Sequence, residues 1–148
     1  MIGKNYLPFQ IPTRLMFKSG NPKTDKNQSV EGLENIVVLH LNLAPEKLSG
    51  FQMCPMASKG CASACLHTAG NPVFQAQKDK GRINRARFYM QDRPNFLIKL
   101  FKELENFVKW CNKNKKIGVV RLNTTSDVPW EIHNIFDKFP MLQFYDYT

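Results

Sequence analysis

Ile36-Val37-Val38-Leu39-His40-Leu41-Asn42-Leu43 is β-branched and leucine-rich, and it is apolar at nearly every position. A short run of this kind fits a strand covered on both faces of a sheet. Ile117-Gly118-Val119-Val120-Arg121-Leu122-Asn123 has the same character, and Met141 to Thr148 is a third such stretch. Helical patterns separate the three. From Pro94 to Cys111 the residues Leu97, Leu100, Phe101, Leu104, Phe107, Val108 and Cys111 recur at intervals of three and four, with lysines and glutamates between them. Asp92 is a start signal for that helix and Asn112 to Lys116 a stop. Val73 to Met90 reads as an earlier helix with a basic face, and Pro129-Trp130 opens a short one that Phe139-Pro140 closes. The order strand, helices, strand, helix, strand predicts an α/β fold: a parallel sheet of β-α-β-α-β units, shaped as a partial (β/α) barrel. Three parallel strands cannot close a barrel. The chain is therefore expected to be the amino-terminal part of a longer barrel, or to have its edge covered by a later strand or another chain.

Upstream of the first strand, residues 1–35 alternate short apolar pieces, Tyr6 to Phe9 and Leu15 to Phe17, with turn-formers such as Gly20-Asn21-Pro22. They read as an irregular arm leading into one α/β domain over residues 36–148. At 148 residues and 43% apolar, the chain can build one substantial core. No window approaches the roughly 18 apolar residues of a membrane span, and no apolar run follows the first basic residues. A soluble cytoplasmic protein is expected. The net charge of +9 points to an anionic ligand or nucleic acid as partner, unless the charge is only solvated surface.

The soft ligands are concentrated just past the first strand. Three of the four cysteines, Cys54, Cys61 and Cys65, fall between Met53 and Gly70 with the spacing Cys-x6-Cys-x3-Cys. Cysteines four apart share a helix face, and a loop can bring a third thiolate to the helix end. That spacing suits a metal, and in a reducing cytosol it suits a metal or redox role better than a disulfide. The plain alternative is three small residues in a loop. His67 could complete a zinc site, although a histidine two residues past Cys65 also reads as an exposed loop residue. Cys111 belongs to the apolar stripe of its helix and reads as core.

In parallel sheets, ligands collect at the carboxyl ends of the strands. Polar side chains stand there on all three predicted strands: His40 and Asn42; Arg121, Asn123 and Asp127; Asp146 and Thr148. Together with the cysteines they are expected on one rim. Arg121 in an apolar strand needs a partner, and Asp127 either supplies it or joins Arg121 in facing a ligand. His40 reads as a satisfied core histidine, and Trp130, Phe144 and Tyr147 as packing. Arg82, Arg85, Arg87 and Arg93 could hold phosphates of a nucleic acid, or form a solvated face.

Cys54-Pro55 with Cys61 and Cys65, the arginine-rich helix, Arg121-Leu122-Asn123 running to Ser126-Asp127 and Trp130, and Phe144 to Thr148 together resemble the bacteriophage gene product 88 family. The pattern is also similar, remotely, to radical S-adenosylmethionine enzymes. There, three cysteines after the first strand of a partial barrel hold a 4Fe-4S cluster. The resemblance implies an iron–sulfur cluster on Cys54, Cys61 and Cys65, with S-adenosylmethionine as cofactor and Asn123, Ser126 and Asp127 contacting cofactor or substrate. Those enzymes carry Cys-x3-Cys-x2-Cys, a shorter first interval, and a glycine-rich motif where Thr124-Thr125-Ser126-Asp127 stands here. A second expectation belongs to another class: a zinc-stabilised nucleic-acid-binding module using the Arg82 to Arg93 face.

Overall fold

In the computed structural model, which describes residues 6–18, 35–44, 47–54 and 75–146, the two apolar runs are neighbouring strands. In chain order the strands are β1 (Met16–Lys18), β2 (Ile36–Leu41), β3 (Ile117–Arg121) and β4 (Gln143–Phe144). They form one four-stranded sheet in the order β1-β2-β3-β4. β2 and β3 run parallel with Val38 opposite Val119 and His40 opposite Arg121, and β3 and β4 run parallel with Val120 opposite Phe144. β1 is antiparallel to β2, pairing Met16 with Leu41 and Phe17 with His40.

The fold is α/β as expected, but the sheet is only mostly parallel. The stretch 1–35, expected to be irregular, supplies β1. The third predicted strand, 141–148, shrinks to the two residues of β4. Met141 and Leu142 turn before it, with the Leu142 N–H donating to the Phe139 carbonyl, and the Tyr145 N–H extends the pairing to the Val120 carbonyl.

Two helices, α1 (Gln75–Gln91) and α2 (Arg93–Asn114), connect β2 to β3. The break between them lies at Asp92, whose carboxylate accepts from Asn95 Nδ2 while Pro94 opens the new helix. The short helix expected after Pro129 is two pieces, a 3-10 turn over Trp130–His133 and α3 over Ile135–Lys138. Asn134 interrupts them at φ 57°, a left-handed conformation that asparagine tolerates better than most residues.

The chain divides into two compact units. The first comprises Met1–Thr13, Asn42–Ile98 and Thr125–Val128; the second comprises Arg14–Leu41, Lys99–Thr124 and Pro129–Thr148, and holds the sheet. In the sheet unit, Leu100, Leu104, Phe107 and Cys111 of α2 are buried, as the periodicity predicts. Helix and strand approach closely at Gly118, where a Cβ would lie 2.7 Å from Leu142, 3.0 Å from Phe107 and 3.1 Å from the Cys111 sulfur. Glu103 ties β1 to α2. Its carboxylate accepts from the main-chain N–H of Leu15 at 3.0 Å and of Met16 at 3.1 Å, satisfying donors at the start of a three-residue strand. Lys18 sits 3.5 Å over the Trp110 ring.

The first unit is organised around α1. Asn84, Arg87 and Gln91 lie three and four residues apart on one helical face. Gln91 accepts from the Leu7 N–H at 2.7 Å and donates to the Leu7 carbonyl at 2.6 Å, and Asn84 makes the equivalent pair with Gln10. Arg87 donates to the carbonyls of Pro8 and Ser49. Beneath these contacts Phe9 stacks on Phe88, which meets Phe96 edge-on. Side-chain amides and a guanidinium thus take the place of a partner strand for residues 7–10.

Candidate functional site

Of the three clustered cysteines, Cys54 is described; Cys61, Cys65 and His67 lie outside the described residues. Cys54 is half-buried in the first unit. Its position follows from a short main-chain tie. The Asp127 N–H donates to the Met53 carbonyl at 2.9 Å, and the Cys54 sulfur lies 4.0 Å from the Thr125 carbonyl. Thr125 is itself anchored, its hydroxyl donating to the Leu43 carbonyl at 2.5 Å. Met53, Thr125 and Ser126 are buried, whereas Asp127 is exposed. Cys54 is therefore set against a fixed turn, with Ser126 and Asp127 immediately beside its tie. Among the described residues, no three His, Cys, Asp or Glu side chains converge in the manner of a metal site.

The rim residues separate between the two units. Ser126 and Asp127 belong to the first, while Arg121, Asn123 and Asp146 belong to the second. In the second unit, Asn123, two residues past β3, and Asp146, two past β4, meet: Asn123 Nδ2 donates to Asp146 Oδ2 at 3.2 Å. The orientation of the Asn123 amide is set by Trp130, whose indole N–H donates to Asn123 Oδ1 at 2.9 Å. These groups help to line a cavity of about 460 Å³. Trp130, Phe136, Phe144 and Tyr145 supply aromatic walls, and Leu122, Pro140 and Leu142 fill the rest. Trp130 and Phe144, which the sequence assigns to packing, thus also line a pocket; Tyr147 lies outside the described residues. Phe136 and Tyr145 were not anticipated, and the only signal was an aromatic density high for such a short segment.

Arg121 lies in register with His40, and its guanidinium is 6.0 Å from the centre of the Tyr145 ring. The expectation of a satisfied histidine at position 40 is corrected: both ring nitrogens are buried with no hydrogen-bond partner among the described residues. Burial, and then the positive charge of Arg121, hold its pKa below the ordinary value, so the ring stays neutral. Cys111 is buried as expected, and burial pushes its thiol pKa up against a smaller opposing effect from Lys18.

Of the four arginines read as a basic face, Arg85 and Arg87 of α1 are committed to main-chain carbonyls. Arg85 is buried, and its Nε donates to the Asn42 carbonyl at 2.8 Å. Arg87 bridges two carbonyls as described above, and Arg82 is half-buried, its own carbonyl accepting from Ala44. Arg93 lies 4.3 Å over the Tyr89 ring with a buried Nε. Helical spacing alone could not distinguish this from a solvated basic face, because the carbonyls that recruit the guanidiniums come from distant segments. Among the described residues, no helix is long and apolar enough to cross a membrane.

Searches of the curated proteins and of the solved structures each return no match. The sequence pattern that begins within β1's approach and runs through both helices, the Asn123–Asp146 pair and the last strand does match a known family profile, over residues 15–148. The chain belongs to the Gene product 88 family.

Proposed function

We propose that this chain binds an iron–sulfur cluster through Cys54, Cys61 and Cys65, on a partial (β/α) barrel akin to that of radical S-adenosylmethionine enzymes. The observation that carries the proposal is the setting of Cys54. Its half-buried sulfur lies 4.0 Å from the Thr125 carbonyl, and the neighbouring Met53 carbonyl is bonded to the Asp127 N–H, which supports Cys54 as a first ligand held by its surroundings. Preset ligand geometry lowers the cost of ordering on metal binding. The Cys-x6-Cys-x3-Cys spacing supplies two more thiolates close in sequence. A cluster held by three cysteines keeps one iron without a protein thiolate, and when bound it would supply one-electron chemistry to a ligand placed there. Among the described residues, Ser126 and Asp127 stand beside the Cys54 tie and would orient such a ligand: a buried hydroxyl and an exposed carboxylate.

The test is anaerobic reconstitution with iron and sulfide. A brown protein absorbing broadly near ~400 nm, with colour lost in Cys54→Ser, is expected. A colourless protein retaining one zinc would overturn the proposal in favour of a structural zinc site. With Arg85 and Arg87 donating to main-chain carbonyls, no observation favours the nucleic-acid reading as a second proposal.

A further inference from the structure

We infer that the cavity beyond the carboxyl ends of β3 and β4 is a binding site for a small planar heteroaromatic molecule carrying an amino or amidine-like N–H edge. The inference is independent of the cluster, since none of the described residues lining this cavity is a cysteine. Its volume of about 460 Å³ lies within the range of pockets that enclose a small organic ligand. Four of its lining side chains, Trp130, Phe136, Phe144 and Tyr145, are aromatic. Phe136 and Phe144 are already edge-on to each other at 5.0 Å between ring centres. Such walls favour a flat ring, which can stack or meet them edge-on, over an aliphatic body of equal volume.

The polar lining residues fix the chemistry of the ligand's edge. Trp130 holds Asn123 Oδ1, which turns Asn123 Nδ2 toward Asp146, and Asp146 is an exposed carboxylate able to accept further hydrogen bonds through its oxygens. Among the described lining residues Asp146 is the one charged side chain, in a chain whose net charge is +9. A phosphate or carboxylate ligand would meet the Asp146 carboxylate among the described lining residues, with the nearby Arg121 guanidinium 6.0 Å from the centre of the Tyr145 ring rather than in the lining, whereas an N–H edge would gain a charge-assisted bond. The location agrees with the tendency of parallel sheets to bind ligands beyond the carboxyl ends of their strands.

The chain has two tryptophans, Trp110 and Trp130, so Trp110→Phe leaves Trp130 as the reporter inside the cavity. Titration of that variant with 2-aminobenzimidazole, followed by fluorescence and by calorimetry, is expected to quench Trp130 and show saturable binding. Asp146→Asn, which keeps an acceptor for Asn123 Nδ2, is expected to weaken binding about tenfold, as loss of a charged acceptor does. Benzoate and cyclohexylamine, which lack the donor edge and the flat ring respectively, are expected not to bind. Absence of 2-aminobenzimidazole binding at millimolar concentration, equal binding of benzoate, or unchanged affinity in Asp146→Asn would each overturn the inference. Iron content plays no part in any of these readouts, so failure here and failure of the cluster proposal are separately visible.

Discussion

The two units hold themselves together by different means. In the sheet unit, regular strands pair along their main chains and α2 packs on them through side-chain volume, closely enough at Gly118 that a methyl group would collide. In the first unit, extended segments pair with no strand among the described residues, and α1 satisfies them with Asn84, Arg85, Arg87 and Gln91. The difference shows how one helix can serve as core and as hydrogen-bond template at once: Ala86, Phe88 and Tyr89 of α1 are buried, between polar residues committed to carbonyls. It also explains why a basic helix need not be an electrostatic surface.

That contrast can be broken from either side. Gly118→Val forces two methyl groups into the helix–strand contact and is expected to destabilise the protein by about 3 kcal/mol, with a lower global midpoint in urea. A midpoint unchanged within error would show that the contact is not close. Arg85→Ala removes a buried guanidinium from the Asn42 carbonyl and is expected to cost about 2 kcal/mol. If the loss were only electrostatic, Arg85→Lys would restore stability; the fork geometry predicts that it does not. Gln91→Ala releases both main-chain groups of Leu7 and is expected to cost about 1 kcal/mol locally. Hydrogen exchange at Leu7 should accelerate while exchange at Val120 stays slow; equal acceleration at both would mean that the arm is part of the global core.

The smallest effect concerns pH. Because the folded pKa of His40 is lowered, its neutral form is favoured in the folded state and protons prefer the unfolded chain. Stability from this residue is fully present above the ordinary histidine value near 6.5 and is lost as pH falls from there through the lowered folded value. His40→Leu should flatten the stability profile between neutral and mildly acidic pH relative to the parent protein. A parallel decline in both proteins would assign the acid sensitivity elsewhere.

Much of the fold was legible in the sequence. The runs at 36–43 and 117–123 could be read because continuous β-branched apolarity has few other uses, and α2 because its stripe persists over five turns. β1 was not, since three residues carry no periodicity and its N–H groups depend on Glu103, 87 or more positions away. β4 was overestimated because the aromatics from 144 onward resemble a strand but in part form a cavity wall. Asn123 and Asp146 were identified from their places after two strands, and the structure does bring them together. Ser126 and Asp127 belong to the other unit, where the Asp127 N–H pairs with the Met53 carbonyl. The role of the arginines was hidden for the same reason as β1: their partners are carbonyls, which carry no sequence signature.

The cluster proposal is tested most directly by iron and acid-labile sulfide analysis of the anaerobically reconstituted protein alongside Cys54→Ser. The account predicts stoichiometric iron and sulfide in the parent protein and their loss in the variant, with the fold retained by circular dichroism. Iron-free parent protein after reconstitution, or a Cys54→Ser variant that retains the full complement, would contradict it.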